Sequence, residues 1–400
     1  MRTPDSNGKK MLWTGFGISY ATVPIGKTNM LTAQDDFIGH QLPTTFDQVD
    51  NSDPAWMERL WYTGHPAPLG DVIFDVGLGY HPNRNVMDAF AGVAVPGRQW
   101  NFRASRQLRP DPLTTTVGPL SIAVVEGLRK HRLVLAPNDS GICFELEFQG
   151  TMNPHEEKAH LRRRDGRVTE NMARGQQFGR YSGWLEFDGR RMDVNTDTWL
   201  GQRDHSWGVR AEMRTDETSP PLTFYPPFFY CWTTAQFKNR GLHIFFKERA
   251  PGDKIYLSGE EVFTLGSRVS GRNQLIDVQH AAQWHDDPYG QSMASAEFDL
   301  RFADGNVRKV SVRVLPTKYY LKGGLYGGLD GWFHGDAKGK LFTAHDSWDL
   351  NDPATRARTR TLADQVIEVR DGNEVGYGII EYGVGKGYAQ YPAVQVHPPI

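Results

Sequence analysis

Segments in which apolar and polar residues alternate recur along the chain. From residue 142 to residue 148, apolar side chains occupy every second position, and mostly acidic side chains stand between them. Residues 310–314, Val-Ser-Val-Arg-Val, follow the same rule. A period of two places the apolar side chains on one face, as in a half-buried β-strand. The pattern therefore predicts a chain built mainly from short strands.

Asp-Gly pairs separate several of these segments, and such a pair between two strand-like runs is a strong hairpin signal. The pairs are Asp165-Gly166, Asp188-Gly189, Asp304-Gly305 and Asp371-Gly372. The three arginines at 162–164 precede the first pair, and we interpret them as the solvated end of a hairpin. Residues 376–383 are a candidate closing strand.

Helical signals are sparse. Asp53 can cap free amides and Pro54 suits a first helical position, so residues 55–61 are the best helix candidate. The segment from Asp352-Pro353 to Ala363 is a weaker one. Neither belongs to a repeating strand–helix pattern, which disfavours a parallel α/β sheet. Short antiparallel strands with tight turns instead predict an all-β fold of barrels or sandwiches.

The chain has 400 residues, which is too long for one ordinary hydrophobic core. We predict two domains, residues 1–215 and 216–400, with the boundary in the proline-rich, charged stretch around it. Residues 203–208 and 344–349 form a faint internal repeat, since both place an Asp and a His beside a Ser-Trp pair.

Composition excludes several classes of function. The formal net charge is −2 and no long basic run is present, so we expect no nucleic-acid partner. No apolar run of about 18 residues predicts a spanning helix, and the polar N-terminus does not resemble a signal peptide. Cys143 and Cys231 lie in apolar runs, which favours buried thiols over a disulfide. We expect a cytoplasmic protein and allow for a homodimer.

Aromatic residues make up 12% of the chain and include 11 tryptophans. An aliphatic core does not need so many aromatic side chains, whereas the wall of a pocket for flat or unsaturated ligands does. The expected partner is therefore a hydrophobic small molecule.

Residues 201–210 combine a carboxylate, an imidazole, a hydroxyl, an indole and two guanidinium groups. In a strand, Asp204 and Ser206 share one face, while His205 and Trp207 share the other. An imidazole beside an indole could transfer a proton next to a surface that tolerates positive charge. A purely structural ion-pair network is the alternative.

Two further segments contain candidate binding residues. Residues 224–232 are aromatic on both faces of a strand, which suits either a core or a cavity wall. Residues 345–348 could supply a second acid or base, or could be a structural relic of duplication. The candidate substrate-binding residues are Tyr225, Phe228, Tyr230, Trp232, His345 and Trp348.

The sequence contains no motif for hydrolase, nucleotide-binding or zinc-binding chemistry. The sequence lacks a Gly-x-Ser-x-Gly elbow and a Walker-type loop, and Gly77-Leu78-Gly79 lacks the third glycine of a dinucleotide fingerprint. Neither His-x-x-x-His nor paired Cys-x-x-Cys occurs. We therefore expect no metal and no organic cofactor.

Residues 203–208, and residues 117–148 with Asn138-x-x-Gly141 at a turn, resemble the carotenoid 1,2-hydratase family. The resemblance implies two lipocalin-like β-barrels in tandem and hydratases that add water to isoprenoid double bonds. Similar folds occur in fungal enzymes that catalyse intramolecular cycloadditions.

In the carotenoid hydratases, a His and a Trp separated by one residue are implicated in catalysis, with a Tyr and an Asp further along. His205 and Trp207 match the first pair. Tyr230 and Trp232 fall in the comparable downstream region, where this sequence has no matching Asp.

Our leading hypothesis is a cofactor-independent acid–base enzyme: a hydratase or dehydratase, an isomerase or a cyclase. Its substrate would be a hydrophobic unsaturated molecule such as a terpenoid, steroid or polyketide. Asp204 or His205 would protonate an alkene or enol, and an apolar pocket would keep an acid protonated near neutral pH. Trp207, Tyr230 and Trp232 would favour developing positive charge. A non-catalytic carrier of lipophilic ligands is the rival hypothesis.

Overall fold

The computed structural model describes residues 33–36, 38–39, 42–164, 166–210, 227–267, 273–285, 292–360 and 362–394. The chain divides into two units, residues 1–50 and residues 51–400. In the first unit a 3-10 helix spans Ala33–Asp36, and the backbone N–H of Phe46 donates to Asp35 Oδ1 at 2.8 Å.

The second unit contains a large antiparallel sheet, to which 14 strands contribute in the described part of the chain. Numbered in chain order, these strands are β1 (Trp56–Pro66), β2 (Ile73–His81), β3 (Val86–Val95), β4 (Arg98–Gln107), β5 (Thr116–Val117), β6 (Leu120–Glu126), β7 (Lys130–Leu135), β8 (Ile142–Gly150), β9 (His155–Glu156), β10 (His160–Arg164), β11 (Arg167–Phe187), β12 (Arg190–Val194), β13 (Trp199–Arg210) and β20 (Leu341–Asp349). The main spatial order is β20-β4-β3-β2-β1-β13-β11-β8-β7-β6-β5.

A closed antiparallel barrel follows, and eight strands of the described residues form it. They are β14 (Phe229–Gln236), β15 (Arg240–Glu248), β16 (Lys254–Phe263), β17 (Asn273–His285), β18 (Ser292–Phe302), β19 (Val307–Tyr320), β21 (Ala363–Asp371) and β22 (Glu374–Val384). Short 3-10 helices span Pro82–Arg84 and Leu321–Gly324. The predicted all-β class with barrel-forming antiparallel strands is confirmed.

The predicted domain boundary at residues 215 and 216 lies outside the described residues and stays a prediction. The large sheet takes its edge strand β20 from the C-terminal half of the chain, because Leu341–Asp349 pairs with Arg98–Gln107 in antiparallel register. The barrel strands all follow residue 228.

The alternating segments form strands as predicted. Ile142, Phe144, Leu146 and Phe148 of β8 are buried, and the residues between them are more exposed. Each buried aliphatic or aromatic side chain of this kind contributes about 1.5–3 kcal/mol relative to an exposed one. Residues 310–314 lie in β19, and residues 376–383 lie in β22, which closes the barrel against β14.

One helix prediction was wrong, and the other is confirmed for residues 353–359 but not as far as Ala363, which begins β21. Asp53 Oδ1 accepts the Ala55 N–H at 2.8 Å, but the chain then continues as β1, paired with β2 and β13. Burial on both faces of β1 overrides the local capping signal. The second segment forms α1 (Pro353–Thr359), where the Asp352 side chain caps the free amides of the first turn. No helix among the described residues has the length and apolar character needed to cross a bilayer.

The Asp-Gly pairs lie where the strands reverse. Asp188 and Gly189, with φ of 52° and 71°, join β11 to β12. The pairs at 304–305 and 371–372 join β18 to β19 and β21 to β22. In the first pair, Asp165 lies outside the described residues. Both cysteines are free, with Cys231 buried and Cys143 half-buried.

The large sheet and the barrel pack face to face, and we call the region between them the central layer. It is formed by the outer faces of β1, β11 and β13 on one side and of β14 and β22 on the other. Trp61 and Trp232 meet edge to face across it with ring centroids 5.8 Å apart. Gln236 Nε2 donates to the Gly179 and Gly201 carbonyls at 3.0 and 2.7 Å. Both sheets therefore contribute side chains to one shared site.

Candidate active site

Strand β13 presents Asp204 to the central layer. In the antiparallel register, Asp204 lies opposite Gln176 of β11 on one side and Trp61 of β1 on the other. Residues directly opposite each other in a sheet share a face. Trp61 contacts the barrel residue Trp232, so the face that includes Asp204 is the one turned towards the barrel.

His205 and Trp207 lie on the opposite face. The His205 imidazole Nε2 is 2.6 Å from Glu58 Oε1, and the two side chains keep 35% and 38% of their surface exposed. Trp207 is 43% exposed and contacts the His205 ring with centroids 5.2 Å apart. The catalytic roles predicted for His205 and Trp207 stay predictions, and both side chains keep contact with solvent. Strict alternation along β13 turns Asp204 inward and this pair towards solvent.

The Asp204 carboxyl group is only partly paired. Oδ1 is buried and has no hydrogen-bond partner among the described residues, and Oδ2 is 3.5 Å from Arg174 Nε. Burial raises the pKa of Asp204 above its usual range, against the opposing charge of Arg174. The side chain nevertheless keeps 15% of its surface accessible, which places it beside space that a small molecule could reach.

Glu157 supplies a carboxylate beside the aromatic strand, where the sequence has no matching Asp. Trp232 Nε1 donates to Glu157 Oε1 at 3.1 Å, and Gln176 Nε2 donates to the same oxygen. Arg174 Nη1 is 3.2 Å from Glu157 Oε2. Sequence reasoning missed Glu157 because it follows the two-residue strand β9 and meets its partners only through tertiary packing.

Three more carboxyl groups connect the large sheet to the barrel. The Asp364 carboxyl group is close enough to Asp75 of β2 and Glu381 of β22 for both to raise its pKa. Two carboxyl groups in such contact need a proton between them, because two carboxylates would repel each other. Burial raises the pKa of Asp75 and Asp364 well above the usual range and that of Glu381 to about 7. This carboxyl chain therefore holds protons near neutral pH.

The predicted binding residues of the aromatic strand lie at the layer as far as they are described. Tyr230 and Trp232 are buried and belong to one hydrophobic cluster with Trp61, against which the partly buried Phe228 packs. The Tyr230 hydroxyl has no hydrogen-bond partner among the described residues, and burial raises its pKa well above the usual value. Tyr225 lies outside the described residues.

The second predicted motif lies elsewhere. His345 is exposed on β20, and Trp348 is buried in a separate hydrophobic cluster around Tyr320 and Trp332. Asp346 shares a strand face with Trp348 and accepts hydrogen bonds from Asn101 and Arg103 at 2.9 and 3.2 Å. The structure therefore does not bring His345 and Trp348 into the cluster of Trp61 and Trp232.

The central layer combines protonated acids with aromatic surfaces. A carboxyl group whose pKa is raised by burial can donate a proton at a pH where an exposed acid is fully ionised. Among the described residues, no group of three or more His, Cys, Asp or Glu side chains is arranged to hold a metal ion. The residues of the layer themselves can perform proton transfer.

The solved structures that are similar to the chain share little sequence with it. A protein provisionally described as AttH, from Nitrosomonas europaea, is 11% identical with a TM-score of 0.51, and the match covers 90% of this chain and 99% of the other. Kievitone hydratase from Nectria haematococca is 9% identical with a TM-score of 0.41, covering 81% and 88%. CghA is 11% identical with a TM-score of 0.43, covering 87% and 90%. The first likeness shows a shared fold, and the other two scores are too low to support an argument.

No protein with a curated description is similar to the chain in sequence. One family model matches residues 31–390, which is most of the chain. The resemblance to carotenoid 1,2-hydratases stays a prediction. The chain belongs to a family of unknown function, DUF8625.

Proposed function

We propose that the protein is an acid–base enzyme that acts on a hydrophobic unsaturated small molecule in the central layer, with Asp204 as the acid. The observation that carries this proposal is the state of the Asp204 carboxyl group. Its Oδ1 is buried without a hydrogen-bond partner among the described residues, its side chain keeps 15% of its surface accessible, and it lies on the same sheet face as Trp61.

A protonated carboxyl group in such a place can add a proton to an alkene or enol. Desolvation raises the pKa of Asp204 and so favours its protonated form, and the apolar surroundings strengthen the electrostatic effect of that proton on a bound molecule. Trp61 and Trp232 offer flat surfaces for an unsaturated substrate. The sequence left open whether Asp204 or His205 protonates the substrate. His205 is too exposed and lies on the other face of β13, so we assign this role to Asp204.

Neighbouring residues support the acid. Glu157 holds the Trp232 indole and the Arg174 guanidinium in place through the hydrogen bonds described above. The Tyr230 hydroxyl is a second proton donor, and the carboxyl chain that ends at Glu381 provides further protons. The resemblance of residues 203–208 to carotenoid hydratases favours hydration of a terpenoid-like double bond, and isomerisation or cyclisation would use the same acid.

The test is a turnover screen. Wild-type protein is incubated with terpenoid, steroid and polyketide alkenes, and products are detected by mass spectrometry. Asp204→Asn should lower turnover at least about 100-fold, because general acid catalysis contributes about 10²–10⁴. Asp193→Asn, an exposed change on β12, is the matched control and should leave turnover unchanged, as should His205→Ala.

Two results would contradict the proposal. Full turnover by Asp204→Asn together with loss of turnover in His205→Ala would move the reaction to the exposed face of β13. Binding of these compounds without product under any condition would favour the carrier hypothesis instead.

A further inference from the structure

The large sheet has a second face, turned away from the barrel, which we call the distal face; it includes Tyr62, His131, Tyr181 and Arg203. The Tyr62 hydroxyl of β1 lies 2.5 Å from His131 Nδ1 of β7. Three strands separate β1 from β7 in the sheet order, so the sheet curls back on itself here. The distal face encloses a large hydrophobic cluster, and buried polar groups in such surroundings need partners.

Arg203 is a buried cation on the distal face without an acidic partner. It lies opposite Tyr62 and Gln177 in the sheet and is 5% exposed. Its Nε and Nη2 donate to Gln177 Oε1, a neutral amide oxygen, at 3.2 and 3.0 Å. Among the described residues no carboxylate forms an ion pair with Arg203, and its Nη1 has no acceptor. The neighbouring Asp204 lies on the other face, 3.5 Å from Arg174.

Two further polar groups of the distal face are buried without partners. The Tyr181 hydroxyl and His131 Nε2 have no hydrogen-bond partner in the part of the chain that the structure describes. The Tyr62 O–H has only His131 Nδ1 as an acceptor there, so Nε2 carries the imidazole proton. Burial and the charge of Arg203 lower the pKa of His131 to about 3 and keep its ring neutral. Both orphaned groups are therefore neutral donors.

These donors surround one aromatic ring. The centre of the Phe148 ring lies 5.3 Å from that of Tyr181 and 5.9 Å from that of His131. The Arg203 guanidinium lies 6.0 Å from the same centre. The Tyr181 ring covers Gly201, two residues before Arg203, where any side chain would overlap it. A guanidinium, an imidazole N–H and a phenol O–H thus gather at a place that lacks an acceptor.

Solvent reaches the distal face along β13. His205 is two residues beyond Arg203 on the same face, a step of about 7 Å, and it keeps 35% of its side-chain surface exposed. Trp207, the next residue on this face, is 43% exposed. Glu58 is paired with His205 at 2.6 Å. A molecule with its charged end at Arg203 would therefore lay its apolar part against the Trp207 indole.

We propose that the distal face is a second ligand site, which binds a lipophilic molecule by one carboxylate group placed beside Arg203, Tyr181 and His131. This site goes beyond the acid–base function of the central layer, on the other face of β13. One unpaired guanidinium balances one negative charge, and N–H and O–H donors suit carboxylate oxygens. A phosphate monoester would bring nearly two charges into the same apolar surroundings and leave one uncompensated.

Three ligands with the same ring system test this site. Naphthalene-1-acetate and naphthalene-1-acetamide share a shape and differ in charge, and 1-naphthyl phosphate carries the larger anion. Each is titrated into the wild-type protein by isothermal titration calorimetry at neutral pH. The acetate should bind at least about tenfold more tightly than the amide, and more tightly than the phosphate.

Tyr181→Phe removes only a hydroxyl group that has no partner among the described residues. Urea unfolding should therefore show no loss of stability, whereas affinity for the acetate should fall about tenfold. Arg203→Gln should abolish the preference for the acetate over the amide. The matched control is Arg210→Gln, because Arg210 lies beside Tyr326 on the other face of β13. It should leave both affinities unchanged.

Several results would overturn the proposal. Equal affinities for the acetate and the amide, or no binding of either, would show that the distal face holds no carboxylate. An acetate preference that Arg210→Gln abolishes and Tyr181→Phe leaves intact would place the anion in the central layer. Tighter binding of the phosphate would overturn the ligand class. The wild-type and Tyr181→Phe titrations decide the proposal even if Arg203→Gln does not fold.

Discussion

Glu381→Gln removes one ionisable member of the buried carboxyl chain while keeping its shape. Burial raises the pKa of Glu381 from 4.5 to about 7, which corresponds to about 3 kcal/mol at about 1.4 kcal/mol per pKa unit. The folded state binds this proton more tightly than the unfolded state. Binding of this proton therefore stabilises the folded wild-type protein fully below pH 4.5, and this stabilisation is lost as the pH rises towards 7. The glutamine has no proton to lose.

The assay is urea unfolding of the two proteins at matched pH values between 4 and 8. We expect equal free energies of unfolding near pH 4, within the effect of one altered hydrogen bond, about 1 kcal/mol. As the pH rises, the free energy of unfolding of the variant should increase relative to that of the wild type, by up to about 3 kcal/mol at pH 8. Other acids titrate equally in both proteins and cancel in the difference.

If the difference in free energy of unfolding between the two proteins stays constant with pH, Glu381 titrates as an exposed acid. That result would refute the buried carboxyl chain. A variant that loses stability as the pH rises would show that Glu381 is held ionised by Arg174, which is the opposite assignment. The same titration of Glu126→Gln, at the exposed last residue of β6, is the control for an exposed carboxyl group.

Three further changes test other parts of the structure, each by urea unfolding at neutral pH. His205→Ala should alter stability by less than about 1 kcal/mol, because its ion pair with Glu58 is solvent-exposed; a larger loss would mean that the pair is buried. Trp232→Phe removes the N–H that binds Glu157 and should cost about 1–3 kcal/mol, and no loss would argue against that hydrogen bond. Arg240→Met removes the partner of Glu374 and one of the two arginines that bind Glu261 and Asp371, and should cost about 1.5–3 kcal/mol, while a gain in stability would show that Arg308 alone satisfies these carboxylates.

Local sequence patterns predicted the elements of this fold well. The alternation in residues 142–148 and 310–314 and the Asp-Gly turns depend on neighbours in sequence, and the structure has strands and hairpins there. Residues 55–61 show the limit of such signals. A capped Asp-Pro start is compatible with a helix, but pairing of β1 with strands on both sides decides the outcome.

The site was only partly predictable, because it forms between two sheets. Alternation along β13 correctly separated Asp204 from His205, but no local signal says which face meets the barrel. Glu157 and Trp232 are 75 residues apart in sequence and meet only in the folded protein. The carboxyl chain joins Asp75 to Asp364 across an even longer separation. Such pairs follow from how the sheets pack, which a single sequence does not reveal.

The most direct test of the account is a crystal structure of the protein soaked with 4-nitrophenol. The account predicts the ring beside Trp61 and Trp232 in the central layer, with its oxygen within hydrogen-bond distance of Asp204 Oδ1. A ligand found only on the opposite face of β13, against His205 and Trp207, with the layer filled by protein side chains, would contradict it.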